Sequence, residues 1–333
     1  MIYILIFILL FLSELVYFKI ANHFNIIDKP NERSSHSRVT LLGGGVIFYI
    51  GILFYFILEG FHYPWFFIGL TLISVISFVD DLRPQSSKLR LSIHFTAMAL
   101  MFYQWGLYSE KWYFILIAIV VCIGILNAYN FMDGINGITG LYSMVVLGAF
   151  WYINNYITDF VDANLIYAIL LALVVFNFFN LRTKAKCFAG DVGSVSIAFI
   201  ILFLLGLVVV KTGDFSYVIL LVVYGIDSIL TIIHRLILKE NIFHPHRNHV
   251  YQIMANELKI PHVVVSLIYA FLQIMILFGY FIFKQYSYSY LGIVIVILSV
   301  SYLIFKLKYF RLHKPTQVLT TKVKLSEQEN SCN

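Results

Sequence analysis

Stretches of roughly 17–22 residues with almost no charge recur along this chain, each about the length that crosses a ~30 Å hydrocarbon layer as a helix. About eleven can be marked off: 2–19, 43–59, 63–79, 91–106, 111–128, 138–153, 164–180, 194–210, 215–233, 262–283 and 287–305. A buried core helix of a soluble protein would explain one such block but not eleven. Apolar residues make up 61% of the 333 and charged ones only 12%, with a mean hydropathy of +0.87. That is too little charge to cover a soluble protein of this length. The expected fold class is an all-α polytopic membrane protein with about eleven transmembrane helices.

The first block, Met1 to Phe18, lacks the basic start and small-residue cleavage site of a signal peptide, and Lys19 follows it, so it is read as a span. Basic loops stay cytoplasmic. On one side fall Lys29, Arg33, Arg38, Arg83, Lys88, Arg90, Arg182, Lys184, Lys186, Arg235, Lys239, Arg247 and Lys259, with the basic residues of the tail. The other side has only Lys111, Lys211 and Lys284. The N-terminus is therefore expected outside and the C-terminus in the cytosol, in a bacterial inner membrane. This bias accounts for the net charge of +6 without nucleic acid. Cys122, Cys187 and Cys332 have no paired spacing, so no disulfide is expected. The expected organisation is a single membrane domain over 1–313 and a polar, disordered cytoplasmic tail over 314–333.

The expected cytosolic loops are the long ones (20–42, 80–90, 129–137, 181–193 and 234–261), and long loops carry function more often than short ones. Four acids stand at their junctions with spans. Asp80 and Asp81 end the third span, Asp133 lies in Asn130-Phe-Met-Asp133-Gly-Ile-Asn136-Gly, and Asp191 in Gly190-Asp191-Val-Gly-Ser194. Any one could be a solvated interfacial acid. Four together in Gly- and Asn-rich turns, none with an i,i+4 basic partner, suit a divalent cation. Magnesium takes one or two protein oxygens, with phosphates and water filling the rest, and manganese can substitute. Arg38, Lys88, Arg90 and Arg247 lie on the same expected face and can neutralise phosphate oxygens. Acids for a metal and bases for phosphate at a lipid-accessible face suit phosphoryl transfer between a nucleotide and a lipid.

The last loop carries His244-Pro-His246-Arg247-Asn248-His249-Val-Tyr251-Gln252. Three histidines within six residues suggest zinc, but no Cys or carboxylate completes the set and Pro245 fixes an extended start. His246, Arg247 and His249 are therefore read as donors to phosphate or sugar. Glu14 and Asp227 are acids inside spans, functional candidates by default, but the sequence supplies no partner for either.

These motifs, in order over roughly residues 28–252, resemble those of the polyprenyl-phosphate N-acetylhexosamine-1-phosphate transferases of glycosyltransferase family 4. That superfamily includes phospho-MurNAc-pentapeptide translocase and the eukaryotic dolichol-phosphate GlcNAc-phosphotransferase. The matching residues are Asp28-Lys29-Pro30 with Arg33, His36 and Gly43-Gly44-Gly45, then Asp80-Asp81, then Asn130 to Gly137, then Gly190 to Ser194, then His246 to Gln252.

The resemblance implies a catalytic set of Asp80, Asp81, Asp133 and Asp191, with Asp191 and Asn130 as the magnesium site. It implies that Asp80 and Asp81 serve the lipid-phosphate side or the metal–diphosphate centre, and that Asp133 and Asn136 form the nucleotide turn. Arg90 falls where the family often has a phosphate-binding lysine, and Arg247 and His249 match the loop that contacts the amino sugar and diphosphate. Asn136 stands where many bacterial relatives carry Asp, which argues against a base there and leaves a ligand or hydrogen-bond role. The three-histidine run of the MurNAc-pentapeptide enzymes is missing, which points toward O-antigen, capsule or related glycans.

The implied reaction transfers an N-acetylamino-sugar 1-phosphate, GlcNAc or a 6-deoxy relative, from a UDP-sugar to undecaprenyl phosphate and releases UMP. The implied partners are those two substrates and the membrane; a homodimer is allowed but not required. Two rivals are the MurNAc-pentapeptide translocase itself and a membrane transporter or flippase. Transporters place binding groups near the bilayer midplane, whereas these acids stand at one expected mouth.

Overall fold

A computed structural model describes residues 2–30, 35, 38–241 and 246–309. Arg33, His36, His244, Pro245, Cys332 and the tail expected over 314–333 lie outside the described residues. The chain is helical: α1 Ile2–His23, α2 Val46–Glu59, α3 Pro64–Leu82, α4 Ser87–Gln104, α5 Trp112–Met132, α6 Ile138–Tyr156, α7 Ala163–Asn180, α8 Gly190–Thr212, α9 Val222–Ile237, the short α10 Val250–Gln252, α11 His262–Ile282 and α12 Ser287–Tyr309.

Helices occupy all eleven expected segments. Eight spans among the described residues are long and apolar enough to cross a membrane: α1, α3, α5, α7, α8, α11, α9 with the 3-10 turn before it, and α12 with its leading turn. The other three fall short of that standard, α2 because it has 14 residues, and α4 and α6, of 18 and 19 residues, because they are not apolar enough. The helices make this a multi-pass membrane protein with eight such spans, fewer than the eleven expected.

The packing follows the pattern of apolar residues. From Val195 to Val209 α8 is apolar all round save for Ser196, whose hydroxyl pairs with that of Ser74 at 2.8 Å, and it is surrounded, as a helix without a polar face must be. Its N-terminal turn meets the start of α2 through glycines: a Cβ on Gly45 would lie 2.2 Å from the Cα of Gly193, so the two backbones touch where any side chain would separate them. α5 and α12 lie at the other extreme, with faces such as Trp112, Val120, Val296 and Leu307 left exposed for lipid.

Local chemistry sets the helix ends that matter for the site. α3 stops at Leu82 because Arg83 precedes Pro84 and is held extended, at φ −151° and ψ 123°. α4 starts on Ser86, whose hydroxyl accepts from the amide of Leu89 at 3.3 Å. A two-residue ribbon pairs β1 Ile27–Asp28 with β2 Thr40–Leu41, antiparallel, with Ile27 opposite Leu41. Leu41 also bridges to Cys187, and the amides of Gly44 and Phe188 bond across to Phe188 and Leu41, so the α7–α8 loop is stitched to the glycine turn before α2. Cys122 and Cys187 are buried free thiols.

Candidate active site

The ends of α3 and α5, the start of α8, the α7–α8 loop and the ribbon meet at one end of the helices. They enclose a cavity of about 230 Å³ whose wall includes Asp81, Asn130, Asp133, Asn136 and Asp191. Helix ends put them there: Asp81 is in the last turn of α3, Asn130 in the last turn of α5, Asp133 is the residue that ends α5, and Asp191 is in the first turn of α8.

Asp191 is held from two sides. Its Oδ1 accepts from Nδ2 of Asn130 at 2.7 Å, and its Oδ2 lies 3.8 Å from Nη1 of Arg90. The same Asn130 amide reaches Oγ of Ser194 at 3.4 Å. Arg90 pairs more closely with Asp80, at 2.6 Å, and the other oxygen of Asp80 takes the amide of Gln85, also at 2.6 Å. Asp80 therefore has a basic partner after all, ten residues on and on the next helix, where an i,i+4 search does not look.

Asp81 does something different. Its Oδ1 accepts the amide of Asp191 at 2.9 Å and its Oδ2 the amide of Val192 at 3.0 Å. The first amides of a helix have no partner within it, and here an acid from another helix supplies one, complementing the positive end of the dipole. Gly190, at φ +71°, makes the approach possible: a Cβ there would stand 2.6 Å from Asp81 Oδ2.

Asp133 faces the cavity without a basic residue beside it. Burial pushes its carboxyl up to about 7 and the nearby charge of Asp191 adds to that, against the Thr139 hydroxyl, which favours the ionised form. Asn136 spends its Nδ2 on the carbonyl of Arg182 at 2.8 Å, while its main-chain carbonyl accepts from the Ser266 hydroxyl at 2.8 Å. It ties the turn to the α7–α8 loop and to α11. Asn180, which sequence reading passed over, does the same from the other side: its Oδ1 takes the amide of Gly137 at 2.7 Å and its Nδ2 donates to Cys187 at 2.8 Å. An amide closing an apolar span just before a long loop was the available signal.

The His246–His249 loop lies against the α5 end of the cavity, and Gln252 lines the wall. The rings of His246 and His249 stand 6.0 and 6.2 Å from Phe131, and Tyr251 donates to the Phe131 carbonyl at 2.7 Å. Burial and the neighbouring cations push His246 down to about 3, so its ring is neutral. Arg38 and Lys88 are exposed, and neither pairs with any of the four aspartates. Both span acids gain neighbours: Glu14 is buried with Cys187 Sγ 3.7 Å from its Oε1, and Asp227 lies beside His249.

No three His, Cys, Asp or Glu among the described residues stand close enough to hold an ion by themselves. The cavity's lining is rich in oxygen donors, with the carboxyls of Asp28, Asp81, Asp133 and Asp191, the carboxamides of Asn130, Asn136, Asn180 and Gln252, and a single imidazole, His262, among the described residues. That set fits a hard cation completed by substrate phosphates, and does not fit zinc.

Residues 63–209, which carry Asp80, Asp81, Asn130, Asp133 and Asp191, match the model of glycosyl transferase family 4. The chain is 27% identical over 276 residues to the undecaprenyl-phosphate alpha-N-acetylglucosaminyl 1-phosphate transferase of Escherichia coli K12, covering 75% of each chain. It is 28% identical over 260 residues to the enzyme of the same name from Salmonella typhi, covering 71% of each. To the probable undecaprenyl-phosphate N-acetylglucosaminyl 1-phosphate transferase of Bacillus subtilis it is 25% identical over 254 residues, covering 70% of each. With its motifs gathered around one polar cavity, the chain is similar across its middle to glycosyl transferase family 4 and to these undecaprenyl-phosphate N-acetylglucosaminyl 1-phosphate transferases.

Proposed function

We propose that this protein transfers an N-acetylamino-sugar 1-phosphate, GlcNAc or a 6-deoxy relative, from a UDP-sugar to undecaprenyl phosphate and releases UMP. It acts at the cytoplasmic face of a bacterial inner membrane, at the start of O-antigen, capsule or related envelope glycan synthesis. The observation that carries this reading is the convergence of Asp133, Asp191 and Asn130 on one cavity, with the Arg90–Asp80 pair at its edge. The names of the relatives support the lipid and the sugar.

Asp191, Asn130 and Asp133 would hold magnesium, or manganese in its place, which supplies charge neutralisation on the diphosphate. Arg90 adds positive charge beside Asp191 and keeps that carboxylate oriented. Asp81 fixes the end of α8 on which Asp191 rides. The lipid phosphate oxygen attacks the sugar-bearing β-phosphorus; the bond from that phosphorus to the UMP oxygen breaks and UMP leaves. The lipid phosphate needs little help from a base, because its second pKa is near 6 and it is mostly dianionic at neutral pH. Positioning is the larger contribution, about 7–11 kcal/mol in well-oriented reactions. The chain's residues supply it through a braced helix end and a fixed turn.

The test is UMP release by purified protein from a panel of UDP-N-acetyl sugars, with undecaprenyl phosphate and magnesium. Release that requires lipid and is abolished by EDTA and by Asp191→Asn is expected, and the best donor names the sugar. Sugar-lipid flux across liposomes without UMP release would replace this reading with a transporter.

A further inference from the structure

Asp227 is an acid in a membrane-spanning helix, 4% exposed, where a charge is costly and seldom kept without use. One of its links stays within α9, to Thr231 at 3.3 Å. The others leave the helix. Its Oδ1 accepts the amide of Val250 at 3.0 Å and stands 3.4 Å from Nδ1 of His249, while its Oδ2 accepts from Tyr269 of α11 at 2.6 Å. Joining α9 to α11 alone would not require a charge; a neutral Ser216–Tyr280 pair at 2.7 Å joins the segment before α9 to α11 elsewhere. What the carboxylate adds is a grip on the first amide of α10 and on the imidazole before it.

That grip bears on the cavity. His249 is 1% exposed, with its ring 5.8 Å from Tyr251, and Tyr251 in turn bonds the Phe131 carbonyl two residues before Asp133. Gln252, next in the chain, is cavity wall. Two buried cations secure the same loop by its carbonyls: Arg235 donates to Asn241 at 2.6 Å and Lys306 of α12 donates to Asn248. Arg235 also pairs with Glu240 at 3.0 Å.

We propose that Asp227 is a positioning residue for the sugar-nucleotide side of the cavity, acting through His249 and the amide of Val250 on the wall formed by Tyr251 and Gln252. The proposal rests on the sugar-phosphate transferase reading given above. Asp227→Asn keeps an acceptor for Val250 but removes the charge beside His249. It should raise KM for the UDP-sugar by about 10- to 100-fold, the range for carboxylates that orient a functional imidazole. KM for undecaprenyl phosphate should stay within about twofold, since coupling fades for groups without shared partners. In a His249→Gln background the substitution should cost nothing further, because residues that act as a unit do not add. A residue needed only for stability would lower the yield of active protein and leave KM for the UDP-sugar alone.

Should Asp227→Asn fail to fold, Val250→Pro tests the other contact, removing the amide that Asp227 holds. Val250 is the first residue of α10, where proline fits, and His249 before it is already extended at φ −65° and ψ 150°. An unchanged UDP-sugar KM in the folded variant, or losses that add with His249→Gln, would overturn the proposal. If wild type releases no UMP from any donor, the functional reading has failed, and positioning is read from hydrogen exchange instead. Peptides over 246–254 should exchange faster in Asp227→Ala than in wild type, and equal rates would overturn it there too.

Discussion

Asp81, in the last turn of α3, holds the amide of Asp191 at 2.9 Å with one oxygen and that of Val192 at 3.0 Å with the other. Those amides are the positive end of α8, where a phosphate would otherwise bind. An acid of the protein occupies that position, which leaves the Asp191 side chain, and not the helix amides, to face the cavity.

The first prediction follows from that geometry. In Asp81→Asn one carboxamide oxygen can replace one acceptor, but the NH2 group then faces an amide donor. A buried donor left without a partner costs about 1–3 kcal/mol. The thermal midpoint should fall by the corresponding amount, and UMP release should fall with it and not recover at high magnesium. Full recovery with added metal would mean that Asp81 acts as a ligand and not as a brace.

Glycine positions allow a paired test. Gly45→Ala would place a Cβ 2.2 Å from the Cα of Gly193, backbone against backbone, and force α2 away from α8. Such overpacking costs about 1–3 kcal/mol. Gly148, inside α6, has nothing within 4 Å of the position its Cβ would take. Gly148→Ala should therefore stabilise by about 0.5–1 kcal/mol, through lost freedom of the unfolded chain. Thermal midpoints that move in opposite directions are expected, and equal shifts would rule out the close approach of α2 and α8.

The helices were legible because their signal is local: long uncharged blocks, Pro84 after α3, glycines at the turns. The four aspartates were legible for the opposite reason, since acids are rare in such a chain. Their partners were not. Asp80 meets Arg90 from the next helix, Asp81 meets amides 110 and 111 residues on, and Asp227 meets His249 across 22 residues and Tyr269 across 42. These pairings depend on how helices pack, and no periodicity encodes them. Asn180 was missed because a single amide at a span end looks like an interfacial residue until both its ends are seen bonded.

Asp133 gives a pH dependence whose sign can be worked out. Burial and Asp191 raise its carboxyl to about 7, above the unfolded value near 4. The folded, metal-free protein therefore binds this proton more tightly than the unfolded chain does. Its contribution to stability is full below about pH 4 and is lost as pH rises through about 7. Magnesium needs the ionised form, so metal binding runs the other way. The gain in thermal midpoint on adding magnesium should be larger at pH 8 than at pH 6, and Asp133→Asn should remove most of that difference. The same gain at both values in the wild type would separate Asp133 from the metal.

Arg90 spans two acids with one guanidinium nitrogen, 2.6 Å from Asp80 and 3.8 Å from Asp191. A planar fork can be directed at both carboxylates, whereas a lysine ammonium on a shorter, flexible stem is a point charge that favours one. Arg90→Lys should retain the charge at the cavity edge but let Asp191 turn, lowering kcat/KM for the UDP-sugar by about tenfold, the low end of the range for groups that orient a metal ligand. Arg90→Ala should lose more, because charge and orientation go together and Asp80 is left without its cation. Steady-state UMP release with each variant at saturating lipid phosphate separates the two contributions. If Arg90→Lys matches wild type, charge alone is what the site uses, and the bridge from Asp80 to Asp191 has no part in catalysis.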